Sequence, residues 1–94
     1  MRAYELVFVV HPGLDNTAFK ELIAKVKGWI TEAGGIISKE DILGKRKLSY
    51  RVRKQKEGLF VLFKTEMAPS FCAQLEHNFL LADPVLRFLI VAEE

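Results

Sequence analysis

An α+β fold with the element order βαββαβ follows from three features of the sequence. Two stretches with apolar residues at helical spacing separate four stretches rich in β-branched and aromatic residues. Gly-Gly, Pro and Asp-Pro signals stand at the joins. The chain has 94 residues, half of them hydrophobic, which suffices for one two-layer domain over residues 1–94 and leaves no room for a second.

Tyr4 to Val10 is β-branched and aromatic and halts at His11-Pro12-Gly13, so it reads as a buried strand. From Phe19 the apolar positions Phe19, Leu22, Ile23, Val26, Trp29, Ile30 and Ala33 form one helical stripe, which Asp15 or Thr17 would cap and Gly34-Gly35 would close. Ile36 to Val52 reads as a long, interrupted and largely polar strand. Gly58 to Met67 reads as a strongly apolar one, reached through a turn over Lys54 to Gly58. Pro69 and Ser70 open a second helix with Cys72, Leu75 and Phe79 on one face, Asp83-Pro84 ends it, and Val85 to Ala92 is the last strand. This order is the split βαβ, or ferredoxin-like, arrangement: a four-stranded antiparallel sheet with two helices on one face.

Alternation along each strand then assigns the faces. Glu5, Lys64 and Arg87 mark the face without helices and leave Leu6, Phe8, Val10, Leu59, Val61, Phe63, Leu86, Phe88 and Ile90 beneath them. The open face therefore carries Val7, Val9, Phe60, Leu62, Leu89 and Val91, more apolar than a solvated surface needs. Val7, Phe60, Leu62 and Leu89 are accordingly expected to meet a partner protein.

The net charge is only +2, yet Lys45, Arg46, Lys47, Arg51, Arg53, Lys54 and Lys56 fall within twelve residues that contain no acid. Without them the chain is acidic, so the cation density is local and implies a directed contact. Alternation places Lys45, Lys47, Ser49, Arg51 and Arg53 on one side of the strand, with side chains two apart separated by about 6.6 Å. That spacing is comparable to successive phosphates of a nucleic acid. Leu48, Tyr50 and Val52 would face the core. The competing use of such a run is to protect an edge strand from pairing with other chains.

Other chemistries find little support. A lone Cys72 permits no intrachain disulfide, and the apolar run Leu6 to Val10 is too short for a membrane span, so a soluble intracellular protein is expected. His11 and His77 are isolated, Cys72 repeats with Leu75 and Phe79 as a small core residue, and Trp29 and Tyr50 read as core anchors. No catalytic residue, metal site, cofactor or small-molecule substrate is expected.

Four stretches carry a family resemblance: "MRAYELVFVVHP" at the start, "GKRKLSY" at Gly44 to Tyr50, Lys56-Glu57-Gly58-Leu59-Phe60, and "DPVLRFLIV" at Asp83 to Val91. In order and spacing they resemble the bacterial small-subunit ribosomal protein six family across nearly the whole chain. The resemblance implies a ferredoxin-like fold, a cytoplasmic ribosomal location, pairing with small-subunit ribosomal protein eighteen, and binding to the central domain of small-subunit rRNA. It further implies RNA contact by Arg2, Arg46, Lys47, Lys54, Lys56 and Arg87. Arg51 stands where the family usually has proline, which puts the family's local kink in doubt, and many relatives continue past Glu93-Glu94 into a polar tail.

Two other readings share the element order. An RNA-recognition motif would carry aromatics at three places of its third strand; counted from Lys56 this chain has Gly58, Phe60 and Phe63, and Val7 and Val9 replace a stacking ring. A protein-interaction module dimerising through the open sheet suits the apolar face, but the clustered cations would meet their like across an isologous interface. The isolated chain is expected to be monomeric.

Overall fold

The computed structural model describes residues 1–93. Its elements are β1 (Arg2–Val10), α1 (Asn16–Glu32), β2 (Ile36–Val52), β3 (Gln55–Met67), α2 (Phe71–Leu81) and β4 (Val85–Ala92). The strands form one antiparallel sheet in the order β2-β3-β1-β4, as the ferredoxin-like arrangement requires. Asp15 is the α1 cap: its Oδ1 accepts the Ala18 N–H at 2.8 Å, and Thr17 lies within the first turn.

The central strand β1 organises the core. Leu6, Phe8 and Val10 are fully buried, with Phe63 and Val61 of β3 opposite Leu6 and Phe8. Against this row pack Val26 and Ile30 of α1 and Leu75 and Phe79 of α2. Phe79 joins all layers: its ring lies 5.3 Å from Phe8, 5.3 Å from Phe88 in a stacked pair, and 5.7 Å from Trp29 edge-on. Such pairs contribute roughly 0.5–1.5 kcal/mol each beyond area burial. Cys72 packs against the same cluster, and the interaction of its thiol with the Tyr4 phenol, with burial, raises that phenol above its ordinary value.

Three expectations require correction. The hairpin turn is Arg53-Lys54 rather than Lys54 to Gly58, because β3 already begins at Gln55 and pairs it with Val52. Leu86 is not beneath the helices. A register shift between Val9 and Val10 pairs Val10 with Val85 and Val9 with Arg87, leaving Leu86 out of the ladder and beside Val9 and Gly58. Leu48, Tyr50 and Val52 do not face the core either: none belongs to the core cluster, and Tyr50 is 60% exposed.

The last correction has a geometric cause. The pairing of β1 with β3 stops at Val10–Leu59, whereas β2 and β3 pair beyond it at Arg46–Gly58, at Lys47–Glu57 and, after a register shift over Leu48 to Arg51, at Val52–Gln55. The stretch from Gly44 to Gly58 is therefore a two-stranded arm overhanging the end of β1. Both of its roots need glycine. Gly44 adopts φ +84 at a register shift in β2, and a Cβ on the buried Gly58 would collide with the Val9 Cγ1 methyl and approach the Val10 carbonyl.

Gly58→Ala is thus expected to destabilise the protein by about 1–3 kcal/mol through overpacking. Urea unfolding would show this as a lower midpoint at unchanged slope.

Candidate nucleic-acid and partner interface

The arm begins as a sheet extension and ends as a curl. At its tip Arg53 (φ 48) and Lys54 (φ 68) occupy the left-handed region, as both central residues of a two-residue type I′ hairpin must. Asn-Gly would serve at little cost; Arg-Lys costs roughly 1–2 kcal/mol per residue.

The tip does not point into solvent. An Arg53 guanidinium N–H donates to the Asp83 carbonyl at 3.0 Å, and the Arg87 Cζ lies 5.1 Å from the centre of the Tyr50 ring. Arg53 and Tyr50 belong to the β2 side of the sheet, Asp83 and Arg87 to the β4 side, and these are opposite edges. The contacts exist because the arm, with no β1 neighbour, bends across the end of that strand, as the strong twist of a two-stranded ribbon favours.

Beneath the bend lies a hollow of about 250 Å³ lined by Val7, Val9, Leu48, Phe60 and Leu89, with Lys47 and Arg87 at its margin. The register makes this one patch: Val7 is opposite both Leu62 and Leu89, and Val9 is opposite Phe60. The four residues expected to meet a partner, Val7, Phe60, Leu62 and Leu89, are therefore contiguous. Gly44 is opposite Phe60 and Arg46 opposite Gly58, so Arg46 extends the same face into the arm, and Leu48 lines the hollow beside it.

Charge divides the open face into two ends. Away from the arm, Lys64 lies 3.8 Å from Glu5 and 3.9 Å from Glu93, and Lys39 lies 3.4 Å from Asp41. On the helix side, Lys27 pairs with Glu40. Among the described residues no ion pair involves the seven arm cations, all of which are exposed, and Glu57 is the arm's one acid. Lys45, Arg46, Lys47, Arg51, Lys54 and Lys56 thus present uncompensated charge, and Arg53 spends one donor on Asp83. Arg87 joins the group from β4. Arg2 does not: it is exposed at the other end of β1, opposite Met67, about 26 Å along the strand from Val10.

His11 serves the turn, its Nδ1 accepting the Gly13 N–H at 3.0 Å, and His77 is exposed on α2. Tyr50 and Leu48 are the site residues that sequence reasoning assigned to the core. The available signal was length: a hairpin of seventeen- and thirteen-residue strands must outrun a nine-residue β1 beside it.

A small α+β domain with a cationic arm and an apolar open sheet offers two surfaces suited to binding, and comparison with known proteins narrows the class. The model of the family described as ribosomal protein S6 matches residues 3–92. Small ribosomal subunit protein bS6 of Clostridium kluyveri is 39% identical over 94 residues, covering 100% of this chain and 99% of the relative. The same protein of Clostridium perfringens strain SM101 is 42% identical with the same coverage. The crystal structure of 30S ribosomal protein S6 from Thermotoga maritima superposes with a TM-score of 0.93 at 25% identity, covering 98% of this chain and 87% of that one. The chain belongs to the ribosomal protein S6 family of the bacterial small ribosomal subunit. Its place is accordingly the cytoplasmic ribosome, in a family of structural proteins not known as enzymes.

Arg53→Ala should free the arm tip. Amide hydrogen exchange at Val52 and Gln55 should accelerate, while global stability changes by about 1 kcal/mol or less.

Proposed function

We propose that this chain binds the central domain of small-subunit rRNA together with small-subunit ribosomal protein eighteen, using the arm for RNA and the open sheet for the protein. The observation that carries this reading is the separation of charge: seven exposed cations without acidic partners on one arm, beside an apolar hollow. Long basic side chains without acids are suited to phosphates, which position a protein on RNA without reading its sequence. Lys45, Arg46, Lys47, Arg51, Arg53, Lys54 and Lys56 supply these contacts, with Arg87 adjacent. Arg2 contributes only where the RNA or a second RNA segment reaches the opposite end of β1. No residue acts as a catalyst, no cofactor is required, and the free chain is monomeric.

The partner covers Val7, Phe60, Leu62 and Leu89. Burying them contributes roughly 25 cal/mol per Å² of apolar area, less the cost of association. The ion-paired end of the face contributes little to this contact, because Lys64 and Glu5 already satisfy one another.

The double variant Lys47→Gln, Lys56→Gln tests the RNA contact, since both side chains are exposed and neither supports the core. Titration of a central-domain rRNA fragment with the partner present, at several salt concentrations, should show the slope of log affinity against log salt falling by about 0.7–0.9 for each lost contact. An unchanged slope and affinity would make the arm's charge edge protection.

Phe60→Asp tests the protein contact. Association with ribosomal protein eighteen should weaken more than tenfold, about 1.4 kcal/mol, while circular dichroism shows the fold retained. Partner affinity equal to wild type would remove the open sheet from the interface.

A further inference from the structure

We propose that Tyr50 is a stacking site for one unpaired RNA base, with Arg87 holding the ring in place; the proposal rests on the RNA-binding reading above. Three observations converge on this residue. The ring is 60% exposed although it stands in a strand, where tyrosine ordinarily buries its apolar area. Its phenol is surrounded in sequence by the uncompensated cations Lys47, Arg51 and Arg53. The Arg87 guanidinium, from the opposite edge of the sheet, lies 5.1 Å from the ring centre.

The guanidinium covers one face of the ring. The contact fixes an otherwise mobile exposed side chain and leaves the second face as a π surface. Aromatic rings of this kind, flanked by cations that track the backbone, take up splayed bases of single-stranded segments. The flanking cations are close at hand: Lys47, Arg51 and Lys56 line one shallow hollow of the arm together with Tyr50, so each of them can meet a phosphate next to a base lying on the ring.

The ring is also separate from the surface assigned to the partner protein. It does not line the hollow formed by Val7, Val9, Leu48, Phe60 and Leu89. Arg87 borders both, so the ring sits where RNA and partner surfaces meet. Stacking of this kind tolerates any base. Tyr50 therefore selects an unpaired nucleotide over a paired one, and does not select base identity.

The test compares wild type, Tyr50→Phe and Tyr50→Leu on a central-domain rRNA transcript in the presence of ribosomal protein eighteen, with chemical probing of unpaired bases in each complex. Tyr50→Leu should weaken RNA binding by about 5- to 100-fold at an unchanged salt slope, because no phosphate contact is lost. Tyr50→Phe should bind within about twofold of wild type, since stacking needs the ring and not the hydroxyl. One or two unpaired nucleotides protected in the wild-type and Tyr50→Phe complexes should become reactive with Tyr50→Leu, the remaining footprint being unchanged. Equal affinity and footprint for Tyr50→Leu and wild type would overturn the stacking site while leaving the phosphate contacts standing. A matching loss in affinity for ribosomal protein eighteen without RNA would also overturn it, and would make the ring a protein contact. Failure of wild type itself to bind the transcript is a different result, which would end the RNA-binding reading and this proposal with it.

Discussion

The geometry of the functional surface depends on where β1 stops. His11-Pro12-Gly13 turns the chain after Val10, and the His11 N–H donates to the Pro84 carbonyl at 2.8 Å, tying that end of β1 to the start of β4. No strand lies beyond this point between β3 and β4, while the β2–β3 hairpin continues. A ribbon with one free face and no central neighbour follows its own twist. The arm accordingly swings over the gap, and its tip reaches the Asp83-Pro84 turn that closes the same end of the sheet. Had β1 continued in register with β3, Arg53 and Asp83 would have remained at opposite edges.

The same constraint separates the two recognition chemistries. Where all four strands run together, the open face can pair charges across strands, as Glu5 does with Lys64. Toward the arm the cross-strand positions become Val7, Leu62, Leu89, Val9 and Phe60, and the nearest charges are cations without partners. The arm accommodates them because each side chain extends into high-dielectric solvent, where like-charge repulsion at strand spacing is about 1 kcal/mol or less per pair. Irregular register along β2 at Ile37–Lys39, Ile42–Gly44 and Lys47–Val52 also disfavours strand addition at that edge. Edge protection and phosphate contact are therefore compatible uses of the same lysines. Salt dependence of RNA binding, rather than inspection, distinguishes the second from the first.

Most of the fold was legible because its elements carry their own signals. The stripe from Phe19 to Ile30, the Asp15 alternative for the cap and the bounds of Ile36–Val52 depend on local spacing and local side-chain chemistry, and the structure reproduces them, with Ala33 falling at the exposed C-cap instead of in the stripe. Positions set by the relation between strands were not legible. Alternation assigned Leu86 to the helix face, but one register shift between Val9 and Val10 removed it from the ladder. Alternation also put Leu48, Tyr50 and Val52 on a common side, but a register shift between Lys47 and Val52 interrupts the ladder there. The inference that this side faced the core assumed a neighbouring strand that ends at Val10. The tip escaped because Arg-Lys is not turn chemistry; the left-handed conformation there is imposed by the Val52–Gln55 pairing. For the site, the cations were found by composition and the apolar patch by alternation. Their proximity required the curl.

The arm is held to the body more weakly than the body is held together. Its far contacts are one hydrogen bond from Arg53 and one cation–π contact at Tyr50, each contributing on the order of 1 kcal/mol, against a core in which Phe79 alone meets three other rings. A segment so attached opens at far lower free energy than the domain unfolds. Arg53 and Arg87 are also groups a phosphate would compete for, so in the proposed RNA complex these contacts could be exchanged without disturbing Leu6, Phe8 or Phe63. The curl keeps the hollow partly covered and the Tyr50 ring oriented in the free chain, which lowers the ordering cost of association. The weak hold would let the arm adjust in the two-partner complex proposed above. A hairpin ending flush with β1 would have been more rigid, but could not have brought cations from one edge of the sheet to the arginine on the other.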